Sequence, residues 1–402
     1  MRTLISLEEA LSLLTGSAAP LGREKVPRSA ALGRTLAEDV TAPLDQPPFD
    51  RSPLDGYALR AADTAGASPE HPAVLRVVET VYAGGVPSRP IGPGEATRIM
   101  TGAMLPLGCD CVLQHERTNN GFETVELYAP LSPHDNYCDR GEDYRTGDLL
   151  LPAGTVIDAA AVGVLASAGI SSVPVLRRPL VRVLSTGDEV VSPDVHPLPA
   201  GKIYGSNQDL LTARLHELGL PDAEGALIGD DPQAVAHEMA RLLSGPWDLL
   251  ITTGGVSAGD KDIFHDALPL LGAQRIFWKV ALKPGTPAMF SLWNGKPILS
   301  LSGNPFAAAA TFELLARPLL AALSGEDRFL PRRTTAVVEG SFPKGSQVRR
   351  FLRGVCHEGR VTLSGKNASG LLSSLVGCNC LVDLPAGSGP VSSGDTVSVL
   401  LL

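Results

Sequence analysis

Residues 248–262 read DLLITTGGVSAGDKD. The apolar run Leu249, Leu250 and Ile251 stops at Thr252-Thr253-Gly254-Gly255, and Ser257, Gly259, Asp260 and Asp262 follow. A short apolar run bounded by turn residues predicts a strand buried on both faces of a parallel sheet. Glycines just past such a strand let backbone amides approach an anion at the carboxyl edge, where open α/β sheets bind ligands. Asp260 and Asp262 carry the wrong charge to grip phosphate directly, but they suit a divalent cation held between carboxylate and phosphate. The stretch predicts an α/β domain that handles a phosphorylated small molecule with Mg²⁺-type chemistry.

The same texture extends on both sides. Predicted strands at 180–185, 226–228, 249–252, 275–280 and 297–301 alternate with helices. Asn207 is read as the cap of one, Asp231-Pro232 opens another, a third covers 263–271, and a long one follows Asn304-Pro305. Alternation of this kind predicts right-handed crossovers and a doubly wound sheet. Four predicted strands run into polar turns: Thr186-Gly187-Asp188-Glu189, Gly229-Asp230, Thr253-Gly254-Gly255, and Ser302-Gly303-Asn304-Pro305. Glycine and Asp are ordinary turn formers singly; four such turns at one edge predict a ligand cleft. Lys279 and Lys283 lie four apart in the apolar segment WKVALKPGTP (278–287). They either offset anionic charge or carry their ammoniums to the surface on apolar stems.

Before this domain the chain has another character. Ser6-Leu7-Glu8-Glu9 is a capping-box pattern that starts a helix at Leu7. A helical turn is expected at 30–36 and a strand at 38–43. Short β-like runs at 74–82, 95–99, 111–114 and 124–127, separated by Pro and Gly, predict a compact β-rich module. After Gly325 short strands return, predicting a small barrel or sandwich.

Composition sets outer limits. With 402 residues, 44% hydrophobic and 19% charged, the chain has ample core for several domains. A formal charge of −9 argues against a nucleic-acid surface. Arg2, Glu8 and Glu9 interrupt the first apolar residues, unlike a signal peptide, and no run is expected to reach the roughly 20 apolar residues of a membrane helix, so a cytoplasmic location is expected. Six cysteines include two Cys-x-Cys pairs without zinc-cluster spacing, and are read as reduced structural thiols.

Seven motifs occur in order: FDRSPLDGYA (49–58), TGAMLPLGCD (101–110), RGED (140–143), STGDE (185–189), ITTGGVSAGDKD (251–262), WKVALKPGTP (278–287) and SGNP (302–305). Together they resemble the molybdopterin molybdenumtransferases, the molybdenum insertase family related to the E domain of gephyrin. The resemblance implies a multidomain α/β plus β fold. Its parts would be an elongated N-terminal domain (1–45 and 146–178), an inserted β-rich domain (46–145), a doubly wound α/β domain of molybdopterin-binding type (179–325) and a C-terminal small β-barrel (326–402). It implies a cytoplasmic homodimer in which the β-rich module completes the partner's cleft. The implied reaction is Mg²⁺-dependent cleavage of adenylylated molybdopterin with molybdate as substrate, releasing AMP and molybdenum cofactor. An upstream pterin adenylyltransferase and downstream molybdoenzyme apoproteins are the implied partners.

By the same resemblance the catalytic positions are Asp55, Asp143, Asp230, Asp262, Lys279 and Lys283, with Asp230 and Asp262 on the metal. Substrate-binding positions are Thr101, Glu189, Thr253, Gly254, Gly255, Ser257, Ser302, Gly303, Asn304 and Pro305. Three departures are visible: Pro53-Leu54 for Ala-Met, Asp260-Lys261-Asp262 after Gly259, and Cys138 where an arginine precedes RGED. Arg140 or Arg145 is expected to supply the missing cation. The competing classes are a gephyrin-like non-catalytic scaffold and an adenylyltransferase or nucleotide hydrolase.

Overall fold

The computed structural model describes residues 2–257, 263–365 and 368–402. The chain divides into two compact units, Met1–Glu24 with Leu176–Leu402, and Lys25–Val175.

The first unit is built on a seven-stranded sheet. Strands Glu224–Ile228, Val181–Thr186, Leu249–Thr253 and Lys296–Leu301 lie side by side, all parallel. The sequence pattern omits two strands of this sheet, Arg2–Ile5 and Met289–Trp293, the latter inserted antiparallel between Lys296–Leu301 and Gln274–Val280. Arg2–Ile5 then closes the far edge, parallel to Gln274–Val280. The central strands read as continuous apolar runs because both faces are covered. Leu7, Leu14, Leu211, Leu215, Phe312 and Leu319 pack on one face, and Val235, Met239, Phe264 and Leu268 on the other. Each fully buried Leu or Phe contributes about 1.5–3 kcal/mol of transfer free energy, so this double layer dominates the unit's stability.

Local chemistry explains most helix ends. Ser6 Oγ accepts from the Glu9 amide to start Leu7–Ser17, and Asp231 accepts from the Ala234 amide to start Pro232–Leu243. Asn207 is not a cap: Ser206 holds that place and Asn207 is the first helical residue. The stretch Pro305–Ser324 is long and apolar enough to span a membrane, contrary to the expectation that none is, but 89% of it is buried in the protein. Its middle, Phe312–Ala316, is π-helical, and the Arg317 amide bonds Phe312 O. Pro318 follows and lacks an amide hydrogen, the usual reason for a helix to loosen there.

The C-terminal strands form a closed barrel. Arg349–His357, Arg360–Leu363, Arg333–Glu339, Thr396–Leu401 and Cys380–Leu384 pair in sequence, and Cys380–Leu384 returns to Arg349–His357. A short strand from the α/β region, Leu282–Lys283, adds to this barrel with Lys283 in register with Arg350. Phe351, Leu381 and Leu400 belong to the same core as the sheet, so the barrel and the α/β layers share a core.

The second unit contains a five-stranded sheet in the order Cys111–Gln114, Gly56–Leu59, Glu95–Ile99, Ala73–Val81 and Thr124–Leu127. The expected strand at 38–43 is reduced to Val40–Thr41, paired with Leu149–Leu151. The expected helical turn at 30–36 is a shorter 3₁₀ turn at Arg28–Ala30, because Thr35 and Leu36 are drawn into bridges with Val156 and Val175. All six cysteines are free.

Candidate functional site

Register brings the four polar turns to one level. Ser185 lies beside Thr253, Thr253 beside Leu301, and Thr186 beside Ile228. Their strands end together, and the turns line a cavity of about 1000 Å³ at the carboxyl edge. Glu189, Asp230, Thr253, Gly254, Gly255, Ser257, Lys283, Ser302, Gly303, Asn304 and Pro305 all line it, each a position singled out from the sequence.

Gly254 is required by geometry. Its φ is +95°, and a Cβ there would sit 2.5 Å from Thr186 O, so the loop closes on the neighbouring strand only without a side chain. Ser185 and Thr253 join their hydroxyls at 2.8 Å beneath it. Asn304 O begins the long helix by accepting from the Ala308 amide, and the Phe306 amide donates to Ser369 O from the barrel loop.

The acids are held as a pair of turns. The Asp188 amide donates to Asp230 Oδ2 at 3.1 Å, and the Asp230 amide donates to Asp188 Oδ1 at 3.0 Å. This leaves Asp230 Oδ1 buried with no hydrogen-bond partner. Among the described residues no three His, Cys, Asp or Glu side chains converge to hold a metal. Mg²⁺ is ordinarily held by one or two carboxylates, with waters and substrate phosphates completing its shell, so an enclosed, unengaged Asp230 oxygen fits it. Asp260 and Asp262 fall outside the described residues.

The lysines part company. Lys283 is exposed and lines the cavity. Lys279 does not line it: its φ is +68° and its ammonium lies 4.0 Å from the Trp278 ring centroid, while the Trp278 indole donates to Val256 O. Sequence reasoning missed Asn207, Arg350 and Ser369 as lining residues. Asn207 had been assigned to a cap, whereas its amide nitrogen donates to Gly303 O at 2.8 Å. Arg350 and Ser369 come from the barrel, and no local pattern marks them.

The remaining candidates sit on the second unit. Asp55 Oδ1 accepts both the amide and the hydroxyl of Thr101 at 2.7 Å, which hold its carboxyl below the usual carboxylate range. Asp143 is exposed and donates its amide to Gln46 O. The cation hydrogen-bonded to Cys138 is Arg51. Arg51 bridges Cys138 through both backbones and donates Nε to its Sγ at 3.4 Å, while Arg140 Nε is taken by Asp45. Burial pushes the Cys138 thiol up, so it remains a neutral donor to Glu142 at pH 7.

A doubly wound α/β domain with a glycine-walled cleft at its carboxyl edge, closed by a barrel loop, defines a binder of anionic small molecules. Three family models match in order: the MoeA N-terminal region (domain I and II) over residues 5–169, a probable molybdopterin binding domain over 182–322, and the MoeA C-terminal region (domain IV) over 335–402. The molybdopterin molybdenumtransferase of Bacillus subtilis (strain 168) is 37% identical over 413 residues, covering 100% of this chain and 95% of that protein. That of Staphylococcus aureus (strain Mu50 / ATCC 700699) is 34% identical over 405 residues, covering 100% and 96%. The crystal structure of a molybdopterin biosynthesis MoeA protein from Pyrococcus horikosii superposes with a TM-score of 0.87 at 32% identity, covering 99% of each chain. The chain belongs to the molybdopterin molybdenumtransferase family, transferases of molybdenum cofactor biosynthesis.

Proposed function

We propose that the cavity binds adenylylated molybdopterin with molybdate as co-substrate, and that the enzyme cleaves the pyrophosphate link to release AMP and molybdenum cofactor. The observation that carries this reading is the combination, in one cavity, of a glycine loop, an unengaged Asp230 oxygen and the Lys283 ammonium. The Gly254-Gly255 turn presents backbone amides to a phosphate. Lys283 offsets negative charge on phosphate or molybdate. Glu189, on the same cavity wall, orients the polyanion by repelling it from its side of the cleft. Mg²⁺ bound at Asp230 and Asp262 would screen the pyrophosphate and polarise its oxygens. On the second unit, Asp55 with Thr101, and Asp143, are further candidates for the reaction. The same reading makes the protein a homodimer that receives its pterin from an adenylyltransferase and passes cofactor to apoenzymes.

The test is incubation with adenylylated molybdopterin, Mg²⁺ and molybdate while AMP is measured. Wild type releases AMP, and Asp230→Asn and Asp262→Asn each lower the rate by at least ~100-fold, the scale of losing one electrostatic group from a transition state. Asp230 lies in the turn after Glu224–Ile228, so Asp230→Asn retains the fold. Near-normal turnover in both variants removes the metal-side acids from the mechanism, and absence of AMP from wild type removes the reaction.

A further inference from the structure

Ser369 and Gly370 reach the cavity from residues 368–375, a turn that runs into the 3₁₀ helix Leu372–Leu375 and belongs to no strand. A segment outside the strand ladders opens easily unless side chains tie it down. Arg353, on strand Arg349–His357, does so from beneath, and it is fully buried at 0% exposure. Its Nη1 donates to Leu371 O at 2.8 Å and to Ser374 Oγ, and its Nη2 donates to Ala368 O at 3.0 Å. All three acceptors belong to the segment. The same guanidinium carbon lies 3.8 Å from the Phe306 ring centroid. Phe306 follows directly on the Ser302–Pro305 turn, and its amide donates to Ser369 O at 3.0 Å. A Cβ on Gly370 would meet Asn304 Oδ1 at 3.8 Å, so the segment also abuts that turn. One side chain therefore touches both walls: the barrel segment through hydrogen bonds, and the α/β wall through Phe306. Burial pushes the guanidinium pKa down, a cost that a fork of committed donors offsets.

We infer that Arg353 is a positioning residue: it latches segment 368–375 to the start of helix Pro305–Ser324 and so sets where the barrel wall of the cavity stands. Arg353 does not itself line the cavity, so it acts through Ser369 and Gly370. The inference rests on the proposed function, because the segment's place matters only if that cavity takes the substrate. Without the latch, an incoming ligand has to order the segment, and that ordering is subtracted from its affinity. The reacting groups are untouched once the ligand is bound. Loss of the latch thus raises the half-saturating substrate concentration and leaves kcat nearly unchanged. Loss of folded protein does the reverse, lowering kcat at an unchanged half-saturation.

The experiment combines hydrogen exchange of the ligand-free full chain with steady-state AMP release, for wild type, Arg353→Met, Arg353→Lys, Ser374→Ala and Arg360→Gln. Arg360 pairs with Glu339 on the barrel surface, and its variant is the control. Arg353→Met keeps an apolar side chain against Phe306 but removes the donors. It speeds exchange over 368–375 by ~10-fold or more, the scale of losing hydrogen bonds to a charged group, while Arg333–Glu339 and Thr396–Leu401 exchange as in wild type. It raises the half-saturating concentration ~10-fold, with kcat within about threefold. Arg353→Lys recovers part of both effects, and Arg360→Gln shows neither. Ser374→Ala removes one acceptor from the segment and moves both readouts the same way by less; it decides the matter if Arg353→Met does not fold. The latch is overturned if exchange over 368–375 stays within twofold of wild type, if it rises equally in the two control strands, or if kcat falls at unchanged half-saturation. Exchange needs no substrate, so a wild type that releases no AMP refutes the proposed reaction and leaves the exchange result to decide the latch.

Discussion

Lys283 and Lys279 are four residues apart and nearly alike in sequence context, yet they face different surroundings. Lys283 lines the cavity beside Arg350, while Lys279 sits at positive φ with its ammonium over Trp278. A cation–π contact is worth about 0.5–1 kcal/mol at an exposed site, whereas a charge-assisted bond to substrate is worth about 1.5–3 kcal/mol. Lys283→Ala is therefore expected to raise the half-saturating substrate concentration ~10-fold or more, and Lys279→Ala to change it several-fold less. Steady-state kinetics on the two variants checks the order, and equal losses would refute it. At this scale the sequence displayed the acids and glycines of the cleft, because their turns are local. It did not separate the two lysines, because a positive φ at Lys279 depends on the hydrogen bond from its amide to Ala288 O, in the next strand's approach.

Among elements, the long helix Pro305–Ser324 carries a buried ion pair. Glu313 and Arg317 are 5% and 6% exposed, and Arg317 Nη1 donates to Glu313 Oε2 at 2.8 Å while Arg214 Nε donates to Oε1 at 2.7 Å. Removing one partner of a buried pair strands the other charge and costs about 3–5 kcal/mol. Glu313→Gln is expected to lower the thermal unfolding midpoint clearly, and adding Arg317→Leu to recover part of the loss, since the more deeply buried cation is then removed while Arg214 keeps its pair with Glu217. The loop at 140–146, held by Asp45, is tied more lightly. The amide and hydroxyl of Thr146, with Arg140, hold the Asp45 carboxyl at about 2 against an ordinary 3.8. The unfolded chain binds that proton more readily, so the loop's stabilisation is complete above about pH 3.8 and is lost as pH falls through about 2. The unfolding midpoints of wild type and Asp45→Asn are expected to differ at pH 6 and to converge below pH 3.8. A constant gap over that range would mean that Asp45 acts by packing alone.

For the whole molecule, family membership and the proposed reaction together predict a C₂ homodimer, the commonest closed assembly of soluble oligomers. Sedimentation equilibrium at micromolar concentration is expected to report a mass near twice the 42.0 kDa of the chain. A fully active species of 42.0 kDa would exclude the dimer as a requirement for activity.

The sequence alone determined the alternation of strand and helix from 179 onward, the caps at Ser6 and Asp231, the β runs Glu95–Ile99, Cys111–Gln114 and Thr124–Leu127, and the polar turns at four strand ends. All of these follow from hydrophobic period, capping chemistry and turn residues, which act over a few neighbours. Tertiary structure decided the rest. It inserted Met289–Trp293 antiparallel in an otherwise parallel sheet, set Arg2–Ile5 at the far edge, closed the barrel on itself, and brought Arg350 and Ser369 to a cavity built from residues far earlier in the chain. Those outcomes depend on which distant strand supplies a hydrogen-bond partner and a covered face. That choice is made by the packing of the whole core and leaves no periodic trace in the residues concerned.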